Sequence, residues 1–162
     1  MSESIYDAVA RDAGLQALLS DAVQAVNASE GSLLLLTPDG KKMRFVVCKS
    51  PVADKLLGTE QALDNGITGL SVSLQQPMIV NDTAADPSFS KDVDTLTKVT
   101  TKSILVVPLA APEKEFGALT AINSKASTGF SSQDLAAYCD AAEKVCDRLE
   151  SMEFDPLKPT ND

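Results

Sequence analysis

Two hairpin signals constrain this chain more than any other feature. "SLLLL" (32–36) and "MRFVVC" (43–48) flank the turn "TPDG", while "SILVVPLA" (103–110) and "FGALTAIN" (116–123) flank the charged turn "APEKE". Short runs of β-forming residues about such turns predict antiparallel strands. Helical patterns bracket the hairpins. Leu15, Leu18, Leu19, Ala22, Val23 and Val26 recur at helical spacing within 4–27, with Gly14 as the expected weak point. Leu135, Tyr138, Cys139, Ala142, Val145, Cys146 and Leu149 form one stripe within 131–152, behind a Ser131-x-x-Asp134 capping-box spacing. Between the hairpins we expect a loop with one helical turn (50–58) and a short strand within 59–65. A glycine-led helix (66–76) follows, stopped by Pro77, then an edge strand "MIV" (78–80) and helical turns over 92–99. Antiparallel strands with helices at the ends and in the middle predict an α+β sandwich. The expected organisation is a single domain over 1–154 and a flexible tail over 155–162, within the polar "FDPLKPTND".

Charge and missing residue types narrow the chemistry. With 14 basic and 23 acidic side chains the chain carries a formal charge of −9, the wrong sign for nucleic acid or an anionic membrane surface. It has no histidine, which excludes His-based triads, HExxH zinc sites and His-ligated haem. Cys48, Cys139 and Cys146 form no CxxC. Cys48 reads as a small buried hydrophobe, and the other two share a helix face and read as core packing. No signal peptide, lipidation motif or long apolar span is present, so the cytoplasm is the default compartment.

Three constellations invite a site. "NDTAADPSFSKDVD" (81–94) lacks the spacing and central Gly of a calcium loop, and its acids need not converge in space. It reads as a turn begun by Asp86, with Phe89 plugging the core. "GITG" (66–69) is too short for a phosphate loop; its glycines permit close backbone approach at a helix start, whose free N–H groups suit an anionic ligand group. Thr95, Thr97, Thr100, Thr101 and Ser103 read equally as surface hydroxyls or as the polar wall of a pocket.

The segment "GITGLSVSLQQPMIVNDTAADPSFSKDVDTLTKVTTKSILVVPLAAPEKEFGALTAINSKASTGFSSQDL" resembles the signature half of a GAF domain, and the resemblance extends over about 31–150. It carries a G-I-x-G helix, a Pro-hydrophobic-Asn-Asp strand, "DPxF", a Ser-Ile-Leu-x-V-Pro-Leu strand, "G-x-L-x-x-x-N" and "F-x-x-x-D-L". The resemblance implies an antiparallel five- or six-stranded sheet with the N- and C-terminal helices on one face. Short helices and a lid would cover a ligand pocket on the other. By comparison with cyclic-nucleotide-binding members, Ile67, Thr68, Asp94, Thr97 and Thr101 fall at pocket positions. Ser90 stands where those members often carry an aromatic residue, and Thr120 where a carboxylate can occur. Of their bracing signature, Asn123, Phe130 and Asp134 are present, but Ser124 replaces the Lys and Leu135 the Glu. Bilin attachment is excluded by the lack of Cys in 49–138, and a free methionine sulfoxide reductase would need cysteines around the pocket.

The implied function is a non-catalytic cytoplasmic sensory or regulatory domain for an unidentified small molecule, with no cofactor named. Ligand would stabilise the lid (81–102) and shift the packing of the terminal helices, in trans or within a larger signalling system; the initial Met and polar tail favour action in trans. The alternative is a ligand-free interaction module. Surplus apolar residues Ile5, Val9 and Met152 suggest a homodimer through the terminal helices.

Overall fold

Alternation along the first strand, β1 (Ala28–Leu36), divides the molecule. Leu33 and Leu35 enter one apolar core and Leu34 and Leu36 another, because successive side chains of a strand point to opposite faces. The computed structural model describes residues 4–86, 89–92 and 100–156. Five further strands follow: β2 (Lys42–Lys49), β3 (Glu60–Ala62), β4 (Met78–Val80), β5 (Ile104–Ala111) and β6 (Lys114–Ser124). They form one six-stranded antiparallel sheet in the order β3-β2-β1-β6-β5-β4. Each predicted hairpin is present, and β1 and β6 join them at the centre.

The helices α1 (Ile5–Arg11) and α2 (Ala13–Ala25) cover one face together with α5 (Ser132–Ser151). On the opposite face lie α3 (Ala53–Leu56) and α4 (Gly66–Leu74). This is the α+β arrangement expected, with six strands rather than five. Helix α5 begins with both bonds of the capping box: the Asp134 amide donates to Ser131 Oγ, and the Ser131 amide to Asp134 Oδ2.

The N-terminal helix breaks at Asp12, not at Gly14. Asp12 takes an extended conformation, closes α1 through its amide to the Val9 carbonyl, and accepts from the Leu15 amide at 2.8 Å. A carboxylate that caps a new helix outweighs a glycine that merely weakens an old one. Arg148 of α5 grips the same carboxylate at 2.5 and 3.0 Å.

Two β-bulges redirect side chains. Val46 is the extra residue opposite Leu33 and Leu34, and Phe116 the extra residue opposite Leu109 and Ala110. The second bulge takes Phe116 out of the alternation that Ala118 and Ile122 follow, into the helix-side core.

The segment read as a polar tail begins inside the core. Glu153 adopts φ 57°, so the Phe154 amide reaches the Leu149 carbonyl and the Glu153 amide the Glu150 carbonyl. That is a Schellman motif formed without glycine, and it packs Phe154 against the core beside Leu149. Phe154 is fully buried, 5.9 Å from the rings of both Tyr6 and Phe116. Pro156 is buried as well. The surplus invoked for a homodimer is also accounted for: Ile5 and Val9 are buried in the chain's own core, and Met152 packs half-buried against it.

Candidate functional site

Helix α4 is positioned by its two glycines. Gly66 turns the chain into the helix at φ 88°, and a Cβ on Gly69 would lie 2.1 Å from the Leu63 carbonyl oxygen. Both act as close-approach glycines. Asn65 makes no capping bond from its side chain and instead donates to Asp92 at 2.6 Å, tying the helix start to the chain beyond Phe89.

Between α4 and the sheet lies a cavity of about 50 Å³. Its apolar walls are Leu34, Phe45, Ile67, Phe89, Ile104 and Ile122. Gln61, Thr68, Ser90, Thr101 and Thr120 add polar groups, and Gly66 lies at the rim of the helix. Ile67, Thr68, Ser90, Thr101 and Thr120, drawn from four separate segments by the resemblance, therefore surround one space. Asp94 and Thr97 lie outside the described residues, as do Thr95 and Pro87. Phe89 is half-buried and packs on the cavity-side core, with its amide bonded to the Asp86 carbonyl.

The run of hydroxyls before β5 divides by role. Thr101 lines the cavity, whereas Thr100 is exposed and Ser103 accepts from the Ser124 amide at 3.0 Å. Asn123, at φ 59°, receives the Lys102 amide at 2.7 Å and donates to the Thr100 carbonyl at 3.0 Å. Asn81 makes a second long-range clasp: it accepts from the Phe130 amide at 2.8 Å and donates to the Phe130 carbonyl at 3.0 Å. Of the bracing signature, Asp134 serves the helix cap, and Ser124 accepts from the Ala126 amide.

The floor residues Leu34, Phe45, Ile104 and Ile122 and the polar Gln61 were not singled out from sequence. Ile122 lies two residues from Thr120, so strand alternation was the available signal. The floor also connects to the terminal helices. Tyr138 of α5 donates to the Thr120 carbonyl at 2.6 Å, through space left by Gly31, where a Cβ would come within 3.0 Å of the tyrosine oxygen.

No cysteine lines this cavity among the described residues. Cys139 and Cys146 belong to α5 on the far side of the sheet, as core packing predicted. Cys48 is half-buried rather than buried; it sits on the cavity's side, where Ser32 Oγ meets its sulfur at 3.6 Å. Burial pushes both the Cys48 and the Cys146 thiol up to about 11. Among the described residues no group of three or more His, Cys, Asp or Glu side chains could hold a metal ion, and no helix is long and apolar enough to cross a membrane.

A family model, the GAF domain, matches residues 10–150. Among solved structures, the type II free methionine-R-sulfoxide reductase of Thermoplasma acidophilum superposes with a TM-score of 0.70 at 18% identity, covering 91% of this chain and 96% of the other. The free methionine-R-sulfoxide reductase of Neisseria meningitidis, in complex with its substrate, gives 0.69 at 20% identity, covering 92% and 86%. The second GAF domain of DevS from Mycobacterium smegmatis gives 0.69 at 13% identity, covering 86% and 92%. At these identities the likeness is one of fold.

Proposed function

The chain belongs to the GAF domain family, and on that premise we propose that it is a non-catalytic sensory module whose ligand occupies the cavity beneath α4. The observation that carries this reading is the convergence of Ile67, Thr68, Ser90, Thr101 and Thr120 on one space. Signalling runs through the Tyr138–Thr120 bond, which ties the cavity floor to α5. A ligand shifts the terminal helices only as far as it binds one of their arrangements better than the other. The output acts in trans or within a larger signalling system, and a homodimer through those helices would now need surfaces other than Ile5 and Val9. The reading takes the cytoplasm as its compartment, where free cysteines stay reduced.

Two neighbouring activities receive less support. The phosphate of a cyclic nucleotide would find no cation among the described lining residues. Thiol-based reduction of methionine sulfoxide needs a thiolate at the substrate. Here the cavity has no cysteine, and Cys48 beside it is held protonated by burial.

Native mass spectrometry of freshly purified protein, followed by thermal shift against cyclic nucleotides, amino acids, 2-oxo acids and aromatics, tests the proposal. A true ligand at a hundredfold excess over Kd adds about 2.7 kcal/mol of stability. No retained mass and no shift across the panel would favour a ligand-free interaction module instead. Reduction of free methionine sulfoxide that depends on Cys48 would overturn the non-catalytic assignment.

A further inference from the structure

We infer that the trough between α5 and the outer edge of β5 docks a basic segment of a partner protein, held by its Lys and Arg side chains rather than as an added strand. The inference goes beyond the sensory reading and does not depend on what fills the cavity beneath α4. The sheet leaves this edge open. β4 pairs only with Ile104–Val106, so Val107–Ala111 run on without a further strand among the described residues. The Asn123 amide donates to the Ser103 carbonyl on the β6 side, and the Thr83 amide to the Lys102 carbonyl on the other. By strand alternation, Pro108 and Ala110 turn their main-chain groups outward. Such an edge ordinarily invites another strand. Here it is blunted, because Pro108 has no N–H to give and the Ala110 amide donates to the Cys146 sulfur of α5. What the strand still offers is carbonyl oxygen.

Helix α5 forms the other wall. Glu143, Asp147 and Glu150 line the trough at i, i+4 and i+7, hence on one face of the helix over about 10 Å. All three are exposed, and none is ion-paired to a described residue. They converge as well, since the charges of all three act on the same Cys146 thiol. Between the walls the floor is apolar, made by Val107, Ala111, Cys139, Ala142 and Cys146. The trough measures about 590 Å³, against about 50 Å³ beneath α4, so it admits several side chains at once. Carbonyls and carboxylates are acceptors only, so the matching surface is rich in donors and positive charge. The aliphatic stems of Lys and Arg suit the apolar floor while their heads meet the rim. A second copy fits poorly, because a twofold contact here would set like charges against one another.

Fluorescence anisotropy of a labelled peptide of alternating Arg and Ala, titrated with the full chain, tests the assignment. The Arg peptide should bind, and its Glu counterpart should not. Combining Glu143→Gln, Asp147→Asn and Glu150→Gln should weaken binding by about tenfold or more, with unchanged circular dichroism. The control combination Asp21→Asn, Asp54→Asn and Asp64→Asn changes the net charge equally at exposed sites. It should cost less than about twofold, since distant charges are screened. An Arg peptide N-methylated along its backbone should bind within about twofold of the parent, because no strand ladder is formed. Peptide added to the wild type should slow amide exchange in α5 and over 107–112. If both combinations weaken binding equally, or exchange slows elsewhere, the peptide reads overall charge and the trough is not its site. If N-methylation abolishes binding, strand addition replaces the side-chain mode and the assignment is wrong. If no peptide binds, or the trough combination alters only self-association in sedimentation, the inference falls. The sensory reading is decided separately, by thermal shift with cavity ligands.

Discussion

Gly69 presses its bare Cα against the Leu63 carbonyl, where an added Cβ would lie 2.1 Å from oxygen. In an open helix, Gly→Ala would stabilise by up to about 1 kcal/mol. Here Gly69→Ala should instead destabilise by about 1–3 kcal/mol, because the helix must lift off the turn beneath it. Urea melts give the sign, and a gain in stability would mean that α4 does not rest on Leu63. Asp12 makes a different kind of prediction. The hydrogen bond from Arg148 holds its carboxyl below the usual carboxylate range. A lowered folded pKa means that the stabilisation is complete above the unfolded value, about 3.9, and fades as pH falls through the folded one. Asp12→Asn keeps an N-cap but loses the charge pair. The stability difference from the wild type should be constant near neutral pH and close in strong acid. A difference that grows on acidification would contradict the pairing. Gly69 was legible in "GITG" because its effect is local. Asp12 was not, because the arginine that grips it lies 136 residues away in the chain.

At the level of elements, long-range clasps tie together segments far apart in the chain. Asn81 holds both backbone groups of Phe130, and a Cβ on Gly129 would strike its side chain at 2.3 Å. Asn81→Ala removes two hydrogen bonds, each worth about 0.5–1.5 kcal/mol. Amide exchange at Phe130 should rise while the helices of the opposite end keep their protection; uniform change across the chain would argue against a local clasp. Tyr138→Phe should cost about 1–2 kcal/mol, since it strands a buried carbonyl. If β6 passes ligand occupancy to α5 through this bond, the variant should still bind but lose the ligand-dependent exchange change in α5. A full response in α5 would remove this route. Strands and capped helices were readable because alternation and a capping box are written in neighbouring residues. The bulge that turns Phe116 inward belongs to two strands at once, so no window of one strand contains it. The Schellman turn at Glu153 was missed because the left-handed position carries no glycine.

Over the whole molecule, the helix-side core closes on an aromatic trio contributed by both ends of the chain and by β6: Tyr6, Phe154 and Phe116. Phe154→Ala should therefore cost about 3–5 kcal/mol, a fall in Tm of roughly 10 °C for a domain this size. A loss under about 1 kcal/mol would return Phe154 to the tail. The layers were legible because two hairpins and two terminal stripes admit few arrangements. The cavity was legible only through family resemblance, since its lining comes from separate segments that no periodicity connects. One feature of the sheet also governs how the molecule is made. The central ladder pairs Ser32 with Thr120, so neither hairpin gains its inner neighbour until β6 exists. On the ribosome, the N-terminal hairpin must wait through most of synthesis with β1 as an open, leucine-rich edge, a surface that invites wrong partners. Chains halted before β6 should therefore be the aggregating species, and the slow step of refolding should be the zipping of β1 to β6, a non-local pairing.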